Sequence, residues 1–364
     1  DPVEFWLEAT VYDFELPAVP ALKTDFGFWA EGALAMCQRM GYTGSPAELV
    51  NAYLKDAFDH GVTLRDLAAL PSESADYPAS LAAYEKRLPL LNEGGATTYA
   101  VPASLLDVPQ QLDLAKAFVK KHGLTDRTFT HIGDEPPQPA WPRLYERMQN
   151  WLDTAPGIPM MVTTYGLQPF LSDAARIWCV HLPVFDTVNG KPILERVAAG
   201  GEVWTYVNHS PPRPYANFFV DFAAIEHRAL FWQTWALGLR GMHYWSVNFL
   251  PDDSGPRDGL LDITPVNGDG FLVYPSANGP VPSIRWETIR DGIEDYDYLV
   301  LFRELQKKAQ ESGNRALLDR IKDAANLEPV VPDLVTFTRD PAVMTAKRDA
   351  IARAIVELQK SLGR

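Results

Sequence analysis

A chain of 364 residues is long enough for one large barrel with an appendage, or for two to three ordinary domains. Hydrophobic residues make up 46% and aromatics 11%, which supplies a large core and excludes intrinsic disorder. Lys and Arg number 33 against 47 Asp and Glu, a net charge of −14, so nucleic acid and anionic membranes, which need a basic face, are excluded as main partners.

In chain order, residues 1–20 read as a strand (Glu4–Phe14) and a Pro-rich linker, the remnant of a preceding domain. Asp1 in place of Met reads as a boundary left by cleavage or cloning; secretion or a periplasmic location suits such an acidic, cysteine-poor chain, while a cytoplasmic one stays open. Apolar or β-branched runs then recur at Thr24–Trp29, Val62–Leu67, Ala96–Val101, Thr128–Gly133, Pro159–Tyr165, Arg176–Leu182, Glu202–Val207 and Gly241–Val247. Helical patterns separate most of them: Pro46–His60, Tyr77–Leu90, Pro109–His122, Pro142–Leu152, Pro192–Ala199 and Asp221–Leu239. In Pro109–His122, Leu112, Ala115, Phe118 and Val119 fall on one face. The most apolar stretch, Ala229–Leu239, ends at Arg240, well short of the about 18 residues of a membrane span.

About eight strand–helix units without long hairpins predict an α/β fold, a (β/α)8-like TIM barrel. The competing doubly wound sheet would carry a Gly-rich phosphate turn, and none occurs. From Ser283 onward Ile284–Ser312, Arg315–Ala325 and Pro341–Leu362 form a C-terminal helical extension, the last too polar for a core. The expected division is 1–20 linker or remnant strand, 21–282 catalytic barrel and 283–364 helices packed on it.

Reactive groups of a barrel sit where its strands end. The fourth run ends Gly133-Asp134-Glu135-Pro136-Pro137: a tight turn, two adjacent acids, and a proline that holds Glu135 out of helical geometry. Two carboxylates this close, partly shielded from water, resist ionising together, which suits glycosidic-bond cleavage. A helix start capped by Asp134 would explain the same residues. No other strand exit supplies an acid at once; Asp186 and Asp252-Asp253 are the nearest loop candidates. The exits instead offer Tyr165, Tyr206, Trp245 and Asn248, with His181 at the end of the sixth run, groups able to stack on a sugar ring or bond its hydroxyl and acetamido groups. Cys37 and Cys179 read as buried small hydrophobes. The seven histidines show no H-x-H or H-E-x-x-H, His131 reads as structural, and no G-x-S-x-G elbow is present. Asp252–Asp258 reads as a solvated turn, and the sequon at Asn208-His209-Ser210 carries no weight beside Pro211.

Gly133-Asp134-Glu135-Pro136 resembles the catalytic pair of glycoside hydrolase family 123, the β-N-acetylgalactosaminidases. Gly238–Asn248 and the stretch from Gly268-Asp269-Gly270 through Tyr274-Pro275 and Ile284-Arg285 to Asp295-Tyr296 strengthen the likeness, which spans roughly 20–310. The resemblance implies a barrel and substrate-assisted, retaining hydrolysis of a glycan or glycoconjugate, without metal or organic cofactor. In it Asp134 orients the substrate's 2-acetamido group and Glu135 protonates the leaving oxygen, then activates water. Family members often carry an N-terminal β-sandwich, whereas about 20 residues precede the barrel here. Asp269 and Tyr274 join the substrate-binding candidates because their loop follows the last barrel strand. Arg285, Arg290, Glu294 and Asp295 recur at helical spacing and read as a surface ladder. The alternatives are a two-carboxylate glycosidase using Asp186 or Asp252, and a non-catalytic glycan-binding barrel.

Overall fold

The computed structural model describes residues 8–168, 174–249 and 267–363. Seven strands form one parallel sheet: β1 (Lys23–Phe26), β2 (Tyr99–Ala100), β3 (Thr128–Asp134), β4 (Met160–Thr164), β5 (Ile177–His181), β6 (Glu202–Tyr206) and β7 (Gly241–Tyr244). Their order is β1-β7-β6-β5-β4-β3-β2, so the sheet curls until β1 and β2 approach each other. The run Val62–Leu67 fills the gap without becoming a full strand. Leu64 makes one parallel bridge to Phe26, and the chain turns at once into helix at Arg65. Three buried threonines complete the wall: the Thr63 N–H donates to Thr24 Oγ1 (2.8 Å), the Thr97 N–H to Thr63 Oγ1 (2.8 Å) and the Thr24 N–H to Thr97 Oγ1 (2.9 Å). Side-chain hydroxyls here replace the backbone ladder that a regular second strand would supply. The result is a curled parallel half-barrel of the TIM type, close to the predicted class.

The helices are α1 (Ala30–Arg39), α2 (Pro46–Asp59), α3 (Arg65–Ala68), α4 (Tyr77–Glu93), α5 (Pro109–Lys121), α6 (Trp141–Thr154), α7 (Gly190–Ala198), α8 (Ala224–Ala236), α9 (Ile284–Glu311), α10 (Arg315–Ala325) and α11 (Pro341–Ser361). Several begin as their sequence directs: a Ser45–Glu48 capping box precedes Pro46 in α2, and Pro109, Pro142 and Pro341 stand in first turns. The predicted face of α5 is the buried one. Helix α8 is buried from Ile225 through Trp235, packed on one side by the 28-residue α9. A short antiparallel hairpin, β8 (Val273–Ser276) with β9 (Gly279–Pro282), precedes α9 and was not foreseen.

Three expectations need correction. The described part of Glu4–Phe14, from residue 8 onward, is irregular rather than a strand. It lies against α9 through an edge-on contact of Phe14 with Tyr298, and a little further on the Ala21 N–H donates to Asp297 (2.7 Å). Helix α11 is not uniformly polar: Met344, Ile351, Ala354, Ile355 and Leu358 form a buried stripe. The predicted surface ladder on α9 is partly interior. Asp295 is buried and takes a bidentate pair from Arg228 (2.5 and 2.8 Å), the Trp232 indole N–H (2.7 Å) and Arg348 (3.2 Å). Arg285 is buried too, donating to the carbonyls of Phe218, Gly268 and Phe271. Arg290, paired with Glu287 at 2.8 Å, and Glu294, paired with Arg348 at 2.8 Å, stay partly exposed as expected. Among the described residues no helix is long and apolar enough to cross a membrane.

Candidate active site

Strand β3 carries the acid pair. Its register against β4 slips between His131 and Gly133, so His131 and Asp134 face the same side although three residues apart. Glu135 then adopts a left-handed backbone, φ 41°, a costly conformation for a residue with a side chain. Thr163 on β4 holds it there: the Glu135 N–H donates to the Thr163 carbonyl (3.1 Å) and to its Oγ1 (3.0 Å), while that hydroxyl donates to Asp134 Oδ1 (2.5 Å). One buried threonine thus fixes both acids. The kink sends the two carboxylates into different surroundings. Asp134 is 75% exposed in its side chain, so the partial shielding predicted for both acids applies to Glu135 alone.

Glu135 Oε1 accepts the Tyr206 phenol (2.7 Å), with Asn208 Nδ2 at 3.5 Å. Burial, then the neighbouring Glu135, pushes the Tyr206 phenol far up, so it remains a donor at any working pH. Asn208 is oriented by its own turn: its Oδ1 accepts the Ser210 N–H (2.9 Å), leaving Nδ2 to donate to Tyr165 Oη (2.7 Å).

Asp134, Glu135, Tyr206 and Asn208 line a cavity of about 330 Å³ with His209, His243, Trp245 and Asp269. Trp245 forms one wall. Its indole N–H donates to Asp269 Oδ1 and Oδ2 (3.0 and 3.1 Å), and its ring lies over Gly270, where an added Cβ would fall 2.2 Å from Cζ2 at φ +74°. Asp269 also accepts the Tyr244 phenol (3.0 Å); burial raises its pKa while these two donors pull it back.

Beneath the cavity lies a buried charged layer. Asp25 on β1 faces His243 on β7 in register, and Oδ2 meets His243 Nδ1 at 2.7 Å. Since a carboxylate only accepts, Nδ1 carries the proton and Nε2 is directed elsewhere. Burial alone would raise the Asp25 pKa, but Arg65 at 3.6 Å and the His243 bond outweigh it and hold the carboxyl below its ordinary range. His131 is pushed down to about 4 by burial, then by His243 and Arg65, so it is neutral near pH 7.

Of the predicted site residues, Asp134, Glu135, Tyr206, Trp245 and Asp269 share this cavity, and Tyr165 joins through Asn208. His181 sits behind them, buried, its ring 4.7 Å from Tyr165 and 5.2 Å from Tyr206, its Nε2 against the Ser210 carbonyl (3.0 Å). Two are corrected. Asn248 spends its amide on the Trp29 backbone, accepting its N–H and donating to its carbonyl, both at 2.9 Å. Tyr274 packs on Phe271 and accepts from Arg285 (3.3 Å), outside the cavity lining. Asp186 lies apart, in a short turn after β5, hydrogen-bonded to Tyr215. Asp252 and Asp253, with the Asp252–Asp258 turn, fall outside the described residues. Sequence reasoning missed Asn208, His209 and His243. Alternation back from Trp245 along β7 would have found His243.

A parallel α/β half-barrel with paired acids and an aromatic wall at the carboxyl ends of its strands has the build of a glycoside hydrolase. The sequence model described as "Glycoside hydrolase 123, catalytic domain" matches residues 108–302, more than half of the chain, and the chain belongs to that family. A family 123 glycoside hydrolase from Clostridium perfringens, whose solved structure is described as detailing glycolipid glycan hydrolysis, superposes with a TM-score of 0.60 at 12% identity, covering 96% of this chain and 71% of that one. Looser matches include a family 5 glycoside hydrolase from Bacteroides vulgatus (TM-score 0.40, 11% identity, 77% and 68% covered) and a Flavobacterium johnsoniae chitobiase (0.36, 12%, 79% and 55%). No curated protein sequence matches the chain.

Proposed function

We propose that this glycoside hydrolase is an exo-acting β-N-acetylhexosaminidase that releases terminal N-acetylgalactosamine with retention. The observation that carries this reading is the carboxylate inventory of the cavity. Besides the adjacent Asp134 and Glu135, the lining holds one further acid, Asp269, and both its oxygens are engaged by Trp245 and Tyr244. A two-carboxylate glycosidase needs its second acid free across the scissile bond, about 5–5.5 or 6.5–9.5 Å from the first. With that role unfilled among the described residues, the nucleophile comes from the substrate.

The 2-acetamido oxygen attacks the anomeric carbon as the bond from that carbon to the leaving oxygen breaks. Glu135 gives its proton to the leaving oxygen. Asp134, held by Thr163, accepts the acetamido N–H and steadies the positive charge of the oxazolinium ion. Glu135 then takes a proton from the water that opens this ring, and two inversions give retention. Tyr206 and Asn208 stabilise the Glu135 carboxylate between the two steps. Trp245, its indole held by Asp269, backs the sugar ring. A cavity of about 330 Å³, at the small end of ligand sites, suits a single terminal sugar.

The test is turnover of aryl β-N-acetylgalactosaminide and aryl β-N-acetylglucosaminide by the parent, Glu135→Gln and Asp134→Asn. The parent cleaves the galacto substrate faster, and each variant loses at least about a hundredfold in kcat. Unchanged turnover in both variants ends this reading.

A further inference from the structure

A second cleft, about 630 Å³, opens beside the first over the exits of β2 and the Leu64 bridge. His131 lies in its wall, with Nε2 3.9 Å from Asp134 Oδ1 and its ring 5.6 Å from that of His243, both of which line the smaller cavity. The two spaces therefore approach each other beside Asp134, with His131 between them. A sugar bound in the smaller one would pass its glycosidic oxygen toward the larger.

The lining of this cleft is unlike that of the first: it carries two guanidinium groups, Arg65 and Arg87. Arg65 is paired with Asp25 (3.6 Å) and Asp66 (3.8 Å), which balance its charge. Asp66 is itself committed, its Oδ2 accepting the Phe28 N–H at 2.7 Å. Arg87 gives one N–H to the Leu67 carbonyl (3.1 Å) and has no carboxylate partner among the described residues. Ser72 adds a hydroxyl at the exposed rim and Pro102 an apolar edge. In a chain of net charge −14, Arg87 is a cleft-lining cation with no carboxylate partner among the described residues. Neutral sugars do not call for it. Planar guanidinium groups match the paired oxygens of a carboxylate or a sulfate.

We infer that this cleft is the leaving-group subsite and that it takes a sugar bearing an anionic group, a uronate or sialate carboxylate or a sulfate ester. This rests on the hydrolase reading for its direction, while the binding preference stands on Arg87 alone. The test compares β-N-acetylgalactosaminyl disaccharides whose second sugar is a uronate, a sulfated hexose or the matched neutral hexose. Binding is measured by calorimetry on Glu135→Gln, and kcat/KM on the parent, each with and without Arg87→Gln or Arg87→Lys. The expected result is a preference of about tenfold for an acidic second sugar at low salt, weakened by added salt, collapsing toward one in Arg87→Gln and partly kept in Arg87→Lys. The uronate and sulfate arms show which anion the cleft prefers. Equal binding of acidic and neutral disaccharides by otherwise parental protein overturns the inference, as does a preference that Arg87→Gln leaves intact. A binding preference without hydrolysis would instead sink the proposed activity and leave this site standing. Should Arg87→Gln fail to fold, the parent's own ratio and its salt dependence decide.

Discussion

Thr163→Val isolates the device that sets the acid pair. Valine keeps the shape of this buried side chain and removes one hydroxyl, which now donates to Asp134 Oδ1 (2.5 Å) and accepts the Glu135 N–H (3.0 Å). The second loss is partly covered, because the same N–H also reaches the Thr163 carbonyl (3.1 Å), so global stability should fall by only about 1 kcal/mol. The first loss is met by water, since Asp134 is 75% exposed, but water does not fix the carboxylate in place. Hydrogen bonds to a charged group contribute about 1.5–3 kcal/mol, and if that is the restraint holding Asp134 against the acetamido group, the cost appears in the transition state as roughly a 10–100-fold fall in kcat. The assay is steady-state turnover of aryl β-N-acetylgalactosaminide, with Thr163→Ser as the variant that restores the hydroxyl. A Thr163→Val enzyme that folds and keeps parental kcat would refute the reasoning, as would a Thr163→Ser enzyme as slow as Thr163→Val.

Further outcomes follow from the same structure. Tyr206→Phe removes the phenol from Glu135 and should lower kcat/KM about tenfold with little change in melting temperature; parental kcat/KM would count against its role. Gly270→Ala must displace the Trp245 indole and should raise KM more than it lowers kcat, as read from initial rates. Asp295→Asn leaves Arg228 buried without its counter-ion and should cost about 3–5 kcal/mol, on the order of 4–7 °C in Tm. Asp297 is pushed by burial to about 7, above its unfolded value near ~4. Its protonated form therefore favours the fold fully below about pH 4, and that contribution is lost as pH rises through about 7. Asp297→Asn keeps an acceptor for the Ala21 N–H, so its Tm advantage over the parent should grow between pH 5 and pH 8; a constant difference would contradict this.

The barrel strands were legible because they are β-branched or apolar runs, most of them with a proline or glycine soon after the strand end. The same grammar exposed Asp134-Glu135 at the end of β3. It misled at Val62–Leu67, where composition is strand-like but three threonines close the wall and Arg65 starts a helix. Alternation from Trp245 would have put His243 on the cavity face, but its pairing with Asp25 across β1 and β7 is a register no local pattern encodes. Asn248 follows β7 and Tyr274 lies on β8 of the unforeseen hairpin, and only tertiary contacts show that Trp29 and Arg285 claim them. The helical spacing of Arg285, Glu294 and Asp295 was read correctly as periodic, but a period does not reveal that α8 and α11 cover the face.

The claim on which the mechanism rests is that the substrate's own acetamido oxygen attacks. Inhibition by a galacto-configured thiazoline, which mimics the cyclic intermediate, tests it most directly. Binding should be at least a hundredfold tighter than that of N-acetylgalactosamine itself, and Asp134→Asn should abolish most of that gain while leaving product affinity nearly unchanged. An enzyme that hydrolyses the aryl glycoside yet binds the thiazoline no better than the free sugar would contradict the account.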